Sequence, residues 1–152
     1  MDINLNGQDR TVDFEPGTSL LQLLRGELGL RSMKDGCAPE GSCGACTVIV
    51  DGRPVVSCAQ PAERFEGKAI ETLEGLPEET RDLWADAFSA TGASQCGYCT
   101  PGIVMKSEAL LRREREPGRE VISKALAGNL CRCAGYEQIF AAVRQAAQEK
   151  RA

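Results

Sequence analysis

Eight cysteines carry the chemistry that this sequence could perform, and they fall into two sets of four. The first set comprises Cys37, Cys43, Cys46 and Cys58, and the second comprises Cys96, Cys99, Cys131 and Cys133. Four thiolates is the ligand number of one tetrahedral zinc ion or of one iron–sulfur cluster. Because each half of the chain holds one complete set, the partition predicts one metal-binding site in each half.

Disulfides, redox-active dithiols and structural zinc are the alternatives to iron. An even number of cysteines permits disulfides, but the spacings are tight and the N-terminal stretch lacks the pattern of a secretory signal. The Cys-x-x-Cys motifs CGAC and CGYC are typical of redox-active dithiols, yet such a role does not explain Cys131 and Cys133. Zinc stays open for the second set, because its short spacings are compatible with a zinc site.

The spacing in the first set favours iron. The plant-type [2Fe–2S] pattern has four and then two residues between its first three cysteines, followed by a distant fourth. Here five residues separate Cys37 from Cys43, two separate Cys43 from Cys46, and eleven precede Cys58. Interleaved glycines let the backbone wrap closely and point N–H groups at the sulfurs. The chain has no histidine, so any cluster is ligated by cysteine and a low reduction potential is expected.

The elements that must position the first set are predicted to be an α+β unit. INLNG and RTVDF alternate apolar and polar residues around Asn6-Gly7, which indicates a hairpin with a loop longer than two residues. TSLLQLLRGELGL has the spacing of an amphipathic helix that begins at Thr18 or Ser19 and ends at Gly29. The β-branched runs CTVIV and PVVSC predict a second hairpin, and KAIETL predicts a last strand.

The second half is predicted to be helical throughout. LEGLPEET, residues 73–80, carries a glycine and a proline and indicates a linker. Four helical stretches follow: EETRDLWADAFSAT, TPGIVMKSEALLRRE, EVISKALAG and YEQIFAAVRQAAQEK. Thr100 is the expected N-cap of the second of them, with Pro101 in its first turn, and Gly128 is the expected end of the third. Four short helices predict a small bundle in which two helix-end loops bring the second cysteine set together.

Charge and hydropathy limit the classes of molecule that the chain is expected to bind. The formal charge is -4 with a pI near 5.0, which argues against nucleic acid. No apolar run approaches the eighteen residues that a membrane-spanning helix needs, so direct membrane insertion is not expected. Without a secretory signal, a cysteine-rich chain is expected in a reducing compartment, and we predict a cytoplasmic protein.

Three stretches, CAPEGSCGACTVIVDG, GASQCGYCTPGIVM and AGNLCRCAGYEQI, resemble one family. They are similar to the small iron–sulfur subunit of the molybdenum hydroxylases, which include xanthine dehydrogenase, aldehyde oxidoreductase and carbon monoxide dehydrogenase. The resemblance covers essentially the whole chain. It implies an N-terminal β-grasp, plant-type ferredoxin-like domain over residues 1–76, followed by an all-α four-helix bundle domain over residues 77–152.

The resemblance also implies the cofactors and the role of each cysteine. One [2Fe–2S] cluster would sit on Cys37, Cys43, Cys46 and Cys58, and the other on Cys96, Cys99, Cys131 and Cys133. Gln95 would contact the pterin of a molybdopterin cofactor held by a large partner subunit, and Cys133 would lie on the electron route from that pterin. Electrons would leave through the first cluster to a medium FAD subunit or another acceptor. No catalytic residue is assigned to this chain.

Two other functions and one departure from the family pattern remain to be tested. A free-standing ferredoxin-like electron shuttle would dock transiently, and a zinc-stabilised interaction module would carry no iron. The family usually has four residues between the first two cysteines, whereas this chain has five, including Pro39. We expect a bulged loop, since Gly36 and Gly41 flank the insertion, with Ala38 extended in front of the proline.

Overall fold

The computed structural model describes residues 1–133 and 135–150. The first half of the chain contains a five-stranded mixed sheet. Its strands are β1 (Asp2–Leu5), β2 (Gln8–Thr11), β3 (Thr47–Val50), β4 (Arg53–Val56) and β5 (Ala69–Glu71). The order across the sheet is β2-β1-β5-β3-β4, and β1 and β5 run parallel while the other neighbours are antiparallel. With the helices of the second half, this sheet confirms the α+β prediction.

Asn6 and Gly7 alone connect β1 to β2, so this loop is shorter than the sequence analysis predicts. Leu5 pairs directly with Gln8, and Asn6 and Gly7 have φ angles of 53° and 79°. Positive φ at both positions is the geometry of a type I′ turn, which the Asn-Gly pair favours. Because a two-residue turn fixes the pairing of the strands, β2 begins at Gln8, two residues before the predicted segment.

The leucine-rich segment is less regular than the predicted helix. One α-helical turn, α1 (Leu20–Gln22), continues as a π-helical turn over Leu23–Glu27. Ser19 caps it in a capping box, because its hydroxyl accepts from the Gln22 N–H at 3.2 Å and the Gln22 side chain accepts from the Ser19 N–H at 2.9 Å. The leucines of both turns are buried in the core beside the sheet: Leu20, Leu21, Leu23 and Leu24.

Four further helices form the second half, close to their predicted positions. They are α2 (Glu78–Thr91), α3 (Thr100–Leu111), α4 (Arg119–Leu126) and α5 (Tyr136–Glu149). Gly92, with a φ of 66°, ends α2. The residue before α3 is Cys99 rather than the predicted cap Thr100, which is instead the first helical residue. Within the described ranges, no helix is long and apolar enough to cross a membrane.

Each half has its own hydrophobic core. One core lies between the sheet and α1 and includes Ile3, Leu20 and Ile70. The other lies among the helices and includes Trp84 and Ile139, with Ile49 of β3 reaching into it. β3 therefore contributes to both cores, because Val48 and Val50 face the first core and Ile49, one residue along, faces the second.

α3 joins the two halves along its whole length. It packs against β3 and β4, and its first turn has Gly102 directly on the backbone of Gly44 and Ala45, where a Cβ atom would overlap both. At its other end, Arg112 makes two hydrogen bonds to the carboxylate of Glu71 on β5, at 2.8 and 2.9 Å. The helix is thus attached to the sheet at both ends, and its first turn lies beside the cysteines.

A buried carboxylate supports this attachment from inside the helical half. Glu108 of α3 accepts from Trp84 Nε1 at 2.8 Å and from Lys150 Nζ at 2.6 Å. Arg112, one turn further along α3, also donates to it through Nε at 3.2 Å. Glu108 therefore links α2, α3 and the end of α5, while Arg112 extends the network to Glu71 on the sheet.

Candidate metal centres

The first cysteine set lies where the glycine-rich loop meets the start of β3 and the end of β4. Cys37 and Cys43 interact through their thiols, and so do Cys46 and Cys58. The Cys58 N–H also lies 3.4 Å from Cys46 Sγ. Cys46 and Cys58 are buried, whereas Cys37 and Cys43 are partly exposed. The set therefore consists of two thiol pairs, one inside the domain and one nearer the surface.

Backbone N–H groups point at the sulfurs of this loop, as the interleaved glycines predict. Cys37 receives the N–H groups of Ser42 and Cys43, and Cys43 receives that of Ala45. Cys58 receives the N–H of Gly41, whose φ is 72°. These donors stabilise negative charge on sulfur, because an N–H dipole favours the thiolate over the thiol.

Backbone donors lower the pKa of one cysteine of this set, and burial raises the pKa of two others. The N–H of Cys43 is the main cause that lowers the pKa of Cys37 to about 6. Burial raises the pKa of Cys43, and it raises the pKa of Cys58 to about 12. Buried thiols of this kind become stable thiolates when a cation replaces the proton. The donor set thus fits a buried cationic centre.

Ala38, Pro39 and Glu40, which lie between Cys37 and Cys43, are exposed, but one detail differs from the expectation. Ala38 has a φ of 46° and is joined to Pro39 by a cis peptide bond, so Ala38 is not extended. Its N–H donates to the carboxylate of Asp35 at 3.0 Å, and the Glu40 N–H donates to the Cys37 carbonyl at 3.2 Å. These local hydrogen bonds define the conformation of the extra residue.

The second set assembles from the segment before α3 and the segment between α4 and α5. Cys96 Sγ lies 3.5 Å from Cys133 Sγ, and the thiols of Cys99 and Cys131 interact with each other. Cys96 and Cys133 are exposed, whereas Cys99 and Cys131 are partly buried. This set also consists of two thiol pairs, and its outer pair opens onto the protein surface.

The same electrostatic pattern recurs in the second set. The N–H of Tyr98 is the main cause that lowers the pKa of Cys96, and burial raises the pKa of Cys99 to about 12. The hydrogen bond with Cys96 raises the pKa of Cys133. No disulfide joins any of the eight cysteines, all of which lie in the described residues. In residues 1–133 and 135–150, no group of three or more Cys, Asp or Glu side chains surrounds one position for a single metal ion.

Gln95 lies beside the outer pair of the second set. Its side chain is exposed, and Nε2 donates to the Cys133 carbonyl at 3.1 Å. A cavity of about 530 Å³ opens here. Its lining includes cysteines of both sets: Cys43, Cys96, Cys99, Cys131 and Cys133. Leu130 and Tyr98, which also line it, expose 54% and 46% of their surfaces, so the mouth of the cavity is apolar.

The two cysteine loops contact each other directly. The Leu130 N–H donates to the Cys43 carbonyl at 2.9 Å, and Asn129 Nδ2 donates to the Gly44 carbonyl at 3.1 Å. Tyr98 adds a third link, because its hydroxyl donates to the Asp35 carbonyl at 3.0 Å. Cys43 lies on one side of this junction, and on the other side Leu130 directly precedes Cys131, so the two sets are adjacent.

Sequence reasoning missed the residues that make this junction. Asn129 and Tyr98 carry no pattern that would mark them as cross-domain donors. Gly102 does give a signal, because a glycine inside an otherwise good helix costs stability and often marks a close approach. Gly44 is a second close approach, which the structure shows: its φ is 70°, and a Cβ atom on it would overlap the carbonyl of Gly128.

Comparison with known protein families defines the class of protein. Residues 3–73 match the 2Fe-2S iron-sulfur cluster binding domain family, and residues 72–144 match the [2Fe-2S] binding domain family. The chain is therefore an iron–sulfur protein with two successive cluster-binding domain types. Each of these matches contains one of the two cysteine sets.

Whole-chain relatives narrow the class to one family. The small FeS subunit of nicotinate dehydrogenase from Eubacterium barkeri is 48% identical over 149 residues, covering 97% of this chain and 94% of the relative. The iron-sulfur-binding subunit of xanthine dehydrogenase from Escherichia coli O157:H7 is 45% identical, covering 91% of this chain and 88% of the relative. The chain belongs to the family of [2Fe–2S] subunits of the molybdenum hydroxylases, the electron-transfer subunits of these oxidoreductases.

Solved structures agree with this assignment. A chain of quinoline 2-oxidoreductase from Pseudomonas putida 86 superposes with a TM-score of 0.92 at 38% identity, covering 99% of this chain and 94% of that one. Aldehyde oxidoreductase from Desulfovibrio gigas superposes with a TM-score of 0.91 at 33% identity, but only 17% of that longer chain is covered. The same fold thus occurs both as a short chain and as part of a larger one.

Proposed function

We propose that this chain binds two [2Fe–2S] clusters and conducts electrons between a molybdenum cofactor and an external acceptor. The first cluster sits on Cys37, Cys43, Cys46 and Cys58, and the second sits on Cys96, Cys99, Cys131 and Cys133. A large partner subunit holds the molybdopterin cofactor and oxidises the substrate. A medium subunit with FAD, or another acceptor, receives the electrons.

The pairing of the thiols is the observation that carries this proposal. A [2Fe–2S] cluster needs two cysteine ligands on each of its two irons. Each set supplies two thiol pairs: Cys37 with Cys43, Cys46 with Cys58, Cys96 with Cys133, and Cys99 with Cys131. Four thiols around one zinc ion would meet at a single point, whereas thiols in two pairs suit a binuclear centre.

The chain's own residues would bind the clusters and tune their potential. When bound, a [2Fe–2S] cluster takes up and releases one electron at a time. The N–H groups of Ser42, Cys43 and Tyr98 point at the sulfurs and stabilise the added negative charge. Burial of Cys46 and Cys58 keeps water from the inner pair of the first set.

The surface around the second set supports its placement against the molybdenum subunit. Cys96 and Cys133 are exposed there, next to the apolar side chains of Tyr98 and Leu130. We assign Gln95 to the pterin, since its exposed amide is already held beside Cys133. Cys133 would then be the first residue of this chain on the electron route. Relatives named xanthine dehydrogenase and aldehyde oxidoreductase, which carry the matching region within much longer chains, also support a permanent large partner.

The proposal includes the finer organisation of the chain. Residues 1–76 form the ferredoxin-like β-grasp domain, and residues 77–152 form the helical cluster domain. The packing of α2 on α5, α3 on α4 and α4 on α5 supports a four-helix bundle. The cysteines, none of which is disulfide-bonded, support a cytoplasmic location.

Iron analysis and electron paramagnetic resonance (EPR) of the full chain test the proposal. We expect about four iron atoms and four sulfides per chain, and two distinct signals after reduction with dithionite. Zinc in place of iron, or iron sufficient for only one cluster, would contradict it. Co-expression with the subunits encoded beside it should yield a stable complex that retains both signals. Isolation of the chain alone, with free reversible docking to many oxidoreductases, would instead support the electron shuttle.

A further inference from the structure

We infer that Asn129 is a positioning residue for electron transfer between the two centres. Its side-chain amide holds the two cysteine loops together so that the hydrogen bond from Leu130 to Cys43 connects them. The inference rests on the proposed function, because it needs a cluster on each cysteine set. It assigns a role to a residue that binds neither cluster.

Asn129 is a buried polar side chain that crosses between the two halves. Only 3% of its surface is exposed. Nδ2 donates to the Gly44 carbonyl at 3.1 Å and lies 3.5 Å from Thr47 Oγ1. The Thr47 hydroxyl itself donates to the same Gly44 carbonyl at 2.7 Å. The Gly44 carbonyl therefore accepts from both halves of the chain, and a buried amide satisfied in this way is costly to remove.

A backbone hydrogen bond next to Asn129 joins the two cysteine loops. Leu130 donates to the carbonyl of Cys43, and Leu130 is followed directly by Cys131. From the thiol of Cys43 to the thiol of Cys131, the route is covalent except for this one hydrogen bond of 2.9 Å. One electron would pass from the reduced centre of the second set to the oxidised centre of the first, with no bond broken and no proton moved.

The close packing around Gly44 explains why a side-chain donor is needed at this position. A Cβ atom on Gly44 would overlap the Gly128 carbonyl and lie 2.6 Å from Asn129 Nδ2. At Gly44 the two loops therefore meet with no room for a further side chain. Asn129 adds a buried, directional side-chain contact next to the Leu130–Cys43 hydrogen bond, and hydrogen-bonded support of this kind determines how closely a site is held.

The rest of the interface does not depend on Asn129. α3 packs on β3, and Arg112 binds Glu71 at the far end of that helix. The Asn129→Ala variant should therefore keep its fold and both clusters while the two loops move relative to each other. Arg112→Met is the matched control, because it also removes a polar link between the halves, but one remote from the cysteines.

The experiment compares wild type, Asn129→Ala and Arg112→Met as full chains carrying their clusters. Iron content and the two midpoint potentials are measured first. The spin–spin splitting between the two reduced centres then reports the distance between them. The rate of electron equilibration after pulsed partial reduction reports how well the two centres are coupled. We expect Asn129→Ala to retain its iron, to lose or alter the splitting and to equilibrate more slowly. Arg112→Met should match wild type in both measurements.

An Asn129→Ala protein with wild-type splitting and wild-type equilibration would overturn the inference. Should this variant fail to fold, the alternative is Thr47→Val, which removes only the hydroxyl that also donates to the Gly44 carbonyl. It should change the splitting from the wild-type value, and no change would again overturn the inference. A wild-type chain with one EPR signal would contradict the proposed function itself, a result seen before any variant is compared.

Discussion

The backbone nitrogen of Leu130 lies 2.9 Å from the carbonyl oxygen of Cys43, and this hydrogen bond links the two cysteine sets. The sets come from domains with separate hydrophobic cores, one beside the sheet and one among the helices. Their loops nevertheless contact each other directly. The fold of this one chain therefore brings the two cysteine sets together.

Substitution of one cysteine in either set should remove one cluster and leave the other. Cys58→Ser and Cys99→Ser each lose a ligand of a different set, so each should retain about two of four iron atoms and a different EPR signal. The exposed Ser89→Ala is the control and should retain all the iron. Loss of both signals from either cysteine variant would show that the two sets do not bind independently.

Gly44 and Gly102 should resist substitution by alanine. A Cβ atom on either residue would overlap backbone of the other half, and Gly44 also has a φ of 70°. We expect Gly44→Ala and Gly102→Ala to lower the free energy of unfolding by about 2 kcal/mol, as overpacking usually does. Urea unfolding measures the change. Gly26→Ala is the control and should not lower the free energy of unfolding, because a Cβ atom there would have nothing within 4 Å and the residue lies in a helical turn. Equal midpoints for all three variants would contradict the packing described.

Glu108 should make stability depend on pH in the acid range. Burial would raise the pKa of Glu108, but the hydrogen bonds from Lys150 and Trp84 outweigh it, and the pKa lies below its ordinary value of 4.5. A carboxylate with a lowered pKa contributes its full stability above the ordinary value, and the contribution is lost as the pH falls through the folded-state pKa. Glu108→Gln should therefore cost about 3 kcal/mol at pH 7.

The difference in unfolding free energy between wild type and Glu108→Gln should narrow as the pH falls below 4.5. Both proteins carry the same cysteines, so acid loss of metal affects them alike. Urea unfolding at a series of pH values measures this difference. The exposed Glu79→Gln variant should track wild type throughout. A constant difference across the acid range would show that Glu108 does not titrate with a lowered pKa.

Asn6 should stabilise the first hairpin in two separable ways. Its side chain accepts from the Thr72 N–H at 2.9 Å and donates to the Thr72 hydroxyl at 3.1 Å, and its own φ is positive. Asn6→Gly removes only the hydrogen bonds, whereas Asn6→Ala also strains the backbone. We expect Asn6→Ala to be less stable than Asn6→Gly by about 1 kcal/mol, measured by urea unfolding. Equal stability would indicate that the turn relaxes to another geometry.

Local sequence patterns predict much of this architecture. The Asn6-Gly7 pair, the β-branched runs and the apolar spacing of the later helices each depend on neighbouring residues, so the pattern alone predicts the element. The division of the cysteines predicts two sites for the same reason. The π-helical turn after α1 was not predicted, because the leucine spacing fits an α-helix equally well.

The junction between the sites could not be predicted in this way. Asn129 and Gly44 are 85 residues apart in the chain, and their contact joins two domains with separate hydrophobic cores. Asn and Gly are common turn residues, so each has a sufficient local explanation. The conformation of Ala38 was not predicted for a related reason. The Asp35 side chain accepts its N–H, and this contact outweighs the extended conformation that a following proline favours.

The exposed outer pair of the second set has a consequence for handling the protein. Cys96 and Cys133 face solvent in the separated chain, whereas Cys46 and Cys58 lie inside the first domain. Dioxygen and chelators therefore reach the second set more easily. In air, a chain without its partners should bleach in two stages, and the centre on the second cysteine set should be lost well before the centre on the first. Docking of the large subunit over Gln95 would then act as a shield, and anaerobic purification is the condition under which the isolated chain should keep its full colour.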